Sequence, residues 1–362
     1  MRRPDHMVAR RRALAWLAAA PALVGMPATA LPPRTLVFPR DHGAHPDFRT
    51  EWWYITGHAR AGSGREFGFQ VTFFRSRVDV AQSIDSRFAA RQLVFAHAAV
   101  SDLEAERLWH DQRIARAGFG IAEAAEDDTR VRLRDWSLVR QPDGTYLAAL
   151  PAQDFGIALR FEPTQPLLLQ GAQGLSRKGP DAAQASYYYS QPQLRATGTL
   201  RVRQRSFEVQ GRAWLDHEWS EELLHPQAVG WDWVGMNLLD GGALTAFRLR
   251  SADGGTVWDG GSWRPQGGAA RIFAAGETRF EPLAWWSSPE SNARYPVRWA
   301  LTCPAGRFTV RALLPNQELD SRASTGAVYW EGLAELLDAQ ERRVGLGYLE
   351  MTGYAGRLRL GG

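Results

Sequence analysis

Apolar and polar residues alternate with a period of two in short segments along the whole chain, and helical periodicity is scarce. The segments include "REFGFQVTFFR" (65–75), "RVRLRDWSLVR" (130–140), "GIALRFEP" (156–163), "TGTLRVRQ" (197–204), "ALTAFRLRS" (243–251) and "RWALTCP" (298–304). Successive side chains of a strand point to opposite faces, so this period sorts each segment onto the two faces of a sheet. "PDG" (142–144), "LDGG" (239–242) and "ADGG" (252–255) are hairpin-type turns between such segments. Many short strands joined by tight turns predict an all-β chain of antiparallel barrels or sandwiches. Helix is expected only at 86–96, ahead of a strand through His97, and near 217–225.

Two stretches share one plan. "EWWYITGHARAGSGREFGFQVTFF" (51–74) enters on aromatic residues, passes Gly57 and a polar turn, and continues in a strand that opens with Gly68. "VYWEGLAELLDAQERRVGLGYLEMTG" (328–353) repeats this with Tyr329, Trp330, Gly332 and the glycines at 345 and 347. Both read as hairpins with glycine at the bends. With 362 residues the chain has room for two such domains. The expected division is a leader at 1–30, a first β-domain at 34–222 and a second at 223–362.

The N-terminus reads "ARRRALAWLAAAPALVGMPATA", an arginine cluster followed by a short apolar run and a small-x-small site ending at Ala30. The run is too short for a membrane span and has the form of a signal peptide of the twin-arginine kind. The expected location is therefore periplasmic or secreted, with peripheral membrane contact compatible with it. Residues 1–30 hold five Arg and a single Asp, which accounts for the whole formal charge of +4. The remainder is neutral and has no basic footprint for nucleic acid. Cys303 is the only cysteine, so core burial rather than an intrachain disulfide must hold the fold together. Cys303 itself reads as a small buried hydrophobe.

The chain carries 15 Trp, a residue that offers a large apolar face and one N–H donor and so suits mixed-polarity cavities. "AWLDHEWS" (213–220) sets Asp216, His217 and Glu218 between Trp214 and Trp219. In a continuous strand Asp216 and Glu218 share one face while His217 takes the other. A break at Asp216 would turn His217 towards the carboxylates, and that break is expected. Asp216 reads as a catalytic acid, as a solvated strand-end residue or as an N-cap ahead of "HEWSEELL". "HEWSE" lacks the second His of a zinc-protease motif, because position 221 is Glu. Oxygen ligation of a metal by Asp216, Glu218 and Glu221 is a minor alternative, and no metal is expected. There is no Gly-x-Ser-x-Gly elbow and no Gly-rich nucleotide loop, so neither a serine hydrolase nor a nucleotide cofactor is expected.

Other residues have plainer readings beside a functional one. Glu51, ahead of Trp52 and Trp53, either points into a cavity or forms a salt bridge at a barrel mouth. His97 is a hydrogen-bonded core histidine or part of a pocket wall. Trp231 and Trp233 alternate around Asp232, so both face either a core or a cavity. Lys178 in "GLSRKGP" (174–180), the only lysine, reads as part of an exposed loop.

"EWWYITGH", "FGFQVTFFR", "AHAAVSD", "WLDHEWS", "GWDWVGMNL", "YWEG" and "GYLEMTGY" occur in this order. Together they resemble the carotenoid 1,2-hydratase (hydroxyneurosporene synthase) and AttH-like family over nearly the whole chain. The resemblance implies two lipocalin-like β-barrel domains side by side, with a ligand cavity in or between them. The hydratase branch has Tyr-x-Asp-His-Asn where this chain has Trp214-Leu215-Asp216-His217-Glu218, so Asp216 and His217 match while Trp214 and Glu218 depart. The branch's upstream aromatic pair falls on Tyr187 and Tyr189 of "SYYYS".

Two functions follow as expectations. One is hydration or cyclisation of an apolar isoprenoid-like alkene without a cofactor, with Asp216 as proton donor. His217 would then orient Asp216 or the water. Trp53, Trp214, Trp219, Trp231 and Trp233 would wall the carbocation, whose charge aromatic faces stabilise. The other is a periplasmic carrier of a hydrophobic ligand that works with ABC-type transporter permease components, as the AttH-type resemblance implies. A buried Asp216 with a raised pKa favours the first; a paired or exposed carboxylate favours the second.

Overall fold

The computed structural model describes residues 30–221 and 224–358; apart from Ala30, the leader segment lies outside them. Among the described residues the chain is all-β, with two antiparallel sheets, a 3-10 turn at Arg40–His42 and one four-residue α-helix, Asp79–Gln82. From edge to edge the first sheet runs Arg107–Arg116, Gln92–Asp102, Glu66–Arg77, Thr50–Ala61, Arg205–Ser220, Ala185–Val202, Phe155–Glu162, Tyr146–Pro151, Trp136–Arg140, Arg130–Leu133 and Ala122–Ala124. Its two ends return to each other, where Arg107–Arg116 and Gln92–Asp102 lie against the last short strands. The result is a nearly closed barrel around Trp53, Phe69, Trp136, Tyr146, Leu215 and their neighbours.

The second sheet begins at Ala228–Leu238. Its central order is Thr256–Arg264, Ala243–Ser251, Ala228–Leu238, Arg343–Met351, Ala327–Leu337. Its own core includes Val234, Met236, Trp299, Trp330 and Leu349. A third apolar cluster, with Tyr54, Trp214, Trp233, Phe247, Leu333 and Tyr348, holds the two sheets together.

Both of the stretches with a shared plan are hairpins, Thr50–Ala61 with Glu66–Arg77 and Ala327–Leu337 with Arg343–Met351. They pack on each other across the two sheets. Gly68 permits this approach, since a Cβ there would lie 2.8 Å from Tyr348 Oη and 3.0 Å from Leu333 Cβ.

Helix is absent from 86–96 and, among the described residues, from 217–225. Gln92–Asp102 is strand from its first residue, and Arg205–Ser220 runs unbroken through Asp216. The expected break fails because this strand is paired along both edges, to Thr50–Ala61 and to Ala185–Val202. Backbone hydrogen bonds on both sides outweigh any capping preference of Asp216.

Candidate functional site

Strand Arg205–Ser220 separates the candidate residues by parity. Trp214, Asp216 and Glu218 face the second sheet, whereas Leu215, His217 and Trp219 face the barrel interior. Register carries the division outward. Asp216 lies opposite Tyr54 and Ser190, while His217 lies opposite Trp53 and Tyr189. His217 therefore does not act on Asp216.

Asp216 is buried between the sheets. Tyr188 Oη is 2.8 Å from its Oδ2, and Ser190 Oγ and Trp214 Nε1 are 2.5 and 2.7 Å from its Oδ1. Burial pushes its pKa up to about 7; these hydrogen bonds oppose the rise and Glu218 adds to it. The hydroxyls of Tyr188 and Ser190 can turn from donor to acceptor, so Asp216 can carry a proton without losing partners.

The second sheet brings two more carboxyls to the same place. Glu331, which is buried, and Glu350, which is half-buried, stand directly opposite each other on neighbouring strands, where two like charges would repel. Burial pushes Glu350 up to about 7, with Trp231 opposing and Asp216 and Glu218 adding to the rise. Burial and Glu350 together raise Glu331 well above the carboxylate range. Oε1 of Glu331 and the Tyr54 hydroxyl are buried beside each other with no other well-formed hydrogen bond among the described residues, and Glu331 Oε2 accepts from Gln70 Nε2 at 2.8 Å. Trp52, Trp231 and Trp233 complete the walls.

Glu218 has a different partner. Lys178 Nζ lies 2.9 Å from Glu218 Oε1, and 4.7 and 4.5 Å from the ring centroids of Tyr188 and Phe247. Lys178 is thus not part of an exposed loop: it is 7% exposed, held as a cation by a carboxylate and two aromatic faces. An amine-selective reagent should modify Lys178 at least about tenfold faster in urea than in the native protein, because only opening of the seam exposes it. Peptide mapping reads this directly, and equal rates would contradict the buried ion pair.

The barrel interior holds a second polar cluster. Glu51 accepts from the His45 backbone N–H at 2.8 Å and lies 2.7 Å from His45 Nδ1, 2.9 Å from His217 Nε2 and 2.8 Å from Arg75 Nε. Burial alone would raise its pKa, but His217 and His45 hold it far below the usual range. Burial lowers His217, against the opposing pull of Glu51, and takes His42 down to about 3, so the His42 ring is neutral. With a neutral His217 that gives its Nε2 proton to Glu51, His42 donates to Tyr189 Oη at 2.7 Å and Tyr189 donates to His217 Nδ1 at 3.1 Å. Trp53 stacks on His217 and Trp219 stacks on His45. The ligand atoms of His45, Glu51 and His217 lie within 4.8 Å of one another, but Glu51 already serves both rings and Arg75.

This geometry corrects several expectations. Glu51 does form a salt bridge, with Arg75 Nε at 2.8 Å, but it is buried on the interior face near the end of the barrel. Tyr187, Tyr189, Trp53 and Trp219 line that interior, so none of them walls Asp216; Tyr188, between the two expected tyrosines, does. His97 lies 2.8 Å from both Tyr329 Oη and Ser324 Oγ, a structural tie between the sheets rather than a pocket wall beside Asp216. Glu221 pairs with Arg77 and Glu218 with Lys178, so the oxygen set of Asp216, Glu218 and Glu221 does not converge. Trp231 and Trp233 do share the face towards the acids.

An open groove of about 950 Å³ runs between Thr164–Leu169 of the first sheet's side and Arg264–Ile272 of the second. A smaller cleft of about 210 Å³ is lined by Ser176, Arg177, Phe247 and Trp258, and so opens on the ring that covers Lys178. Neither includes Asp216. The acid cluster is singled out by its chemistry, not by the volume of open space beside it.

A model of the AttH-like family matches residues 29–354. The chain belongs to the AttH-like family. A protein of known structure described as an AttH, from Nitrosomonas europaea, is 45% identical with a TM-score of 0.84, over 90% of this chain and 99% of that one. Kievitone hydratase from Nectria haematococca is 13% identical with a TM-score of 0.69, over 88% and 93% of the two chains. CghA bound to Sch210972 is 14% identical with a TM-score of 0.52, over 89% and 95%. At these identities the last two share the fold alone. No curated protein matches the chain.

Glu331, Glu350, Tyr188, Ser190, Tyr54, Trp52 and Lys178 are the residues of this AttH-like site that sequence reasoning missed. For the glutamates a signal existed: "VYWEGL" and "GYLEMTG" place a carboxylate in strands that are otherwise apolar on both faces. Such a carboxylate is costly unless it is partnered or protonated.

Proposed function

We propose that this AttH-like protein is an exported enzyme that adds water to, or cyclises, a carbon–carbon double bond of an apolar isoprenoid- or lipid-like substrate held between its two sheets. The observation that carries the reading is Asp216: a buried carboxyl with a pKa pushed up to about 7, facing aromatic walls. Asp216 gives its proton to one alkene carbon, and the double-bond electrons form the new C–H bond. The tertiary cation left on the other carbon is stabilised by aromatic faces. Water adds to it and releases a proton to a carboxylate, the role we give to Glu350; in cyclisation a second double bond attacks the cation instead, and the new cation loses its proton to the same carboxylate. Kievitone hydratase is a hydratase by name, and it lends the fold rather than the reaction. The "ARRRALAWLAAAPALVGMPATA" leader supports export to the periplasm or beyond.

The test is incubation of the mature protein with isoprenoid alkenes in deuterated water. The product should retain one carbon-bound deuterium after return to ordinary water. Because the acid must be protonated, the rate should fall about tenfold per pH unit above about 7. A ligand returned unlabelled at every pH would instead support the alternative, a carrier that delivers its ligand to an ABC-type transporter.

A further inference from the structure

The barrel end where strand Glu66–Arg77 stops and Gln92–Asp102 begins presents a surface that the acid site does not use. Val80 is 82% exposed, Phe88 68% and Phe119 46%, with Ile84 and Ile121 also exposed. Large apolar side chains gathered on one solvent-facing loop cluster mark an interaction surface. These are organised rather than scattered. The Phe88 and Phe119 rings stack with centroids 5.6 Å apart and planes 11° from parallel. The Arg116 guanidinium lies 3.9 Å from the Phe119 ring centroid, and that of Arg87 lies 5.5 Å from both rings. Arg116 also donates to the Phe88 carbonyl and Arg91 to the Ile84 carbonyl.

Phe119 is held outward at a backbone cost. Its φ is +59°, between Gly118 at +97° and Gly120 at +71°. A bulky residue is disfavoured in this left-handed region, where Gly or Asn would be easy. No core packing accounts for the choice, because the side chain faces outward.

The charges select the partner. Arg87, Arg91 and Arg116 form no ion pair among the described residues, while Arg49 and Arg77 share Asp79. Asp85 is the other acid of the segment 79–91. Exposed Phe, Ile and Val beside uncompensated arginines fit the interface of a bilayer that contains anionic lipid: rings enter the acyl boundary and guanidinium groups meet phosphates. We propose that this end of the first barrel, with Phe88 and Phe119 at its tip, docks on an anionic phospholipid surface. Strand Arg205–Ser220 ends at the same side, since Ser220 pairs with Thr50 and Thr50 with Ser76, so docking brings the acid site near the phase in which an apolar substrate dissolves. The proposal does not depend on the reaction.

Co-sedimentation of the mature full-length protein with phosphatidylcholine vesicles, with and without phosphatidylglycerol, tests it. Binding should require phosphatidylglycerol and weaken with salt. The double variant Phe88→Ser/Phe119→Ser should lower partitioning at least about tenfold, as loss of two inserted rings demands. The triple variant Arg87→Gln/Arg91→Gln/Arg116→Gln should abolish the preference for anionic vesicles. Both variants alter exposed side chains except for the half-buried Arg116, and an unchanged melting temperature checks that they fold. Absence of binding to protein-free vesicles, including the case where native membranes capture the protein, overturns the proposal. So does binding that the double variant leaves intact.

Discussion

Asp216→Asn is expected to lower turnover about 10²–10⁴-fold, the usual contribution of a general acid, with substrate affinity nearly unchanged. Asn has the shape of the protonated carboxyl. Its oxygen can accept from Ser190 and Trp214 as Oδ1 does, and its amide can face the Tyr188 hydroxyl. What it lacks is the transferable proton. The same change should stabilise the fold at pH 8. A carboxyl whose folded pKa is raised to about 7 is most favourable to folding below its unfolded value near 3.8. That contribution is lost as pH rises through 7, because ionisation then has to occur without water. Replacing Asp216 should recover on the order of a few kcal/mol above pH 7 and little at pH 4. Higher thermal stability with lost turnover is the combined signature. If turnover of an identified substrate survives, Asp216 is not the acid.

Glu51→Ala should have the opposite profile, a loss of about 3–5 kcal/mol in stability with turnover of the folded protein retained. Glu51 is the hub of the barrel's interior cluster, and Arg75, its ion partner, is 3% exposed. Removing the carboxylate leaves that guanidinium buried without its charge partner and takes the acceptor from His45 and His217. Urea denaturation measures the loss. The substrate side should not respond, because Glu51 and Asp216 point to opposite faces of the first sheet. A Glu51 variant of full stability and no turnover would place the interior cluster in the reaction.

The contrast between these substitutions shows how far the sequence could be read. Alternation placed Asp216 and Glu218 on one face and His217 on the other, and that parity holds. The error was to expect a strand break that would join them, when pairing on both edges keeps the strand whole. The same parity, applied to "SYYYS", would have singled out Tyr188 rather than its neighbours. Lys178 offered no local sign of burial, because "GLSRKGP" has the composition of a surface loop and its partners come from other strands.

By itself the sequence determined the fold class, since a period of two and hairpin turns admit sheets and little else. It also determined which residues share a face, because side-chain parity along a strand is a local property. Only the tertiary structure decided what each face meets. Strand Arg205–Ser220 turns one side into a barrel and the other against a second sheet, and nothing local distinguishes two buried faces. Glu350 interacts with Asp216, and Glu331 with Glu350, across more than a hundred residues of sequence from Asp216. The raised pKa values that make these groups acids come from the water that the two sheets together exclude, a property of the packed assembly and not of any segment in it.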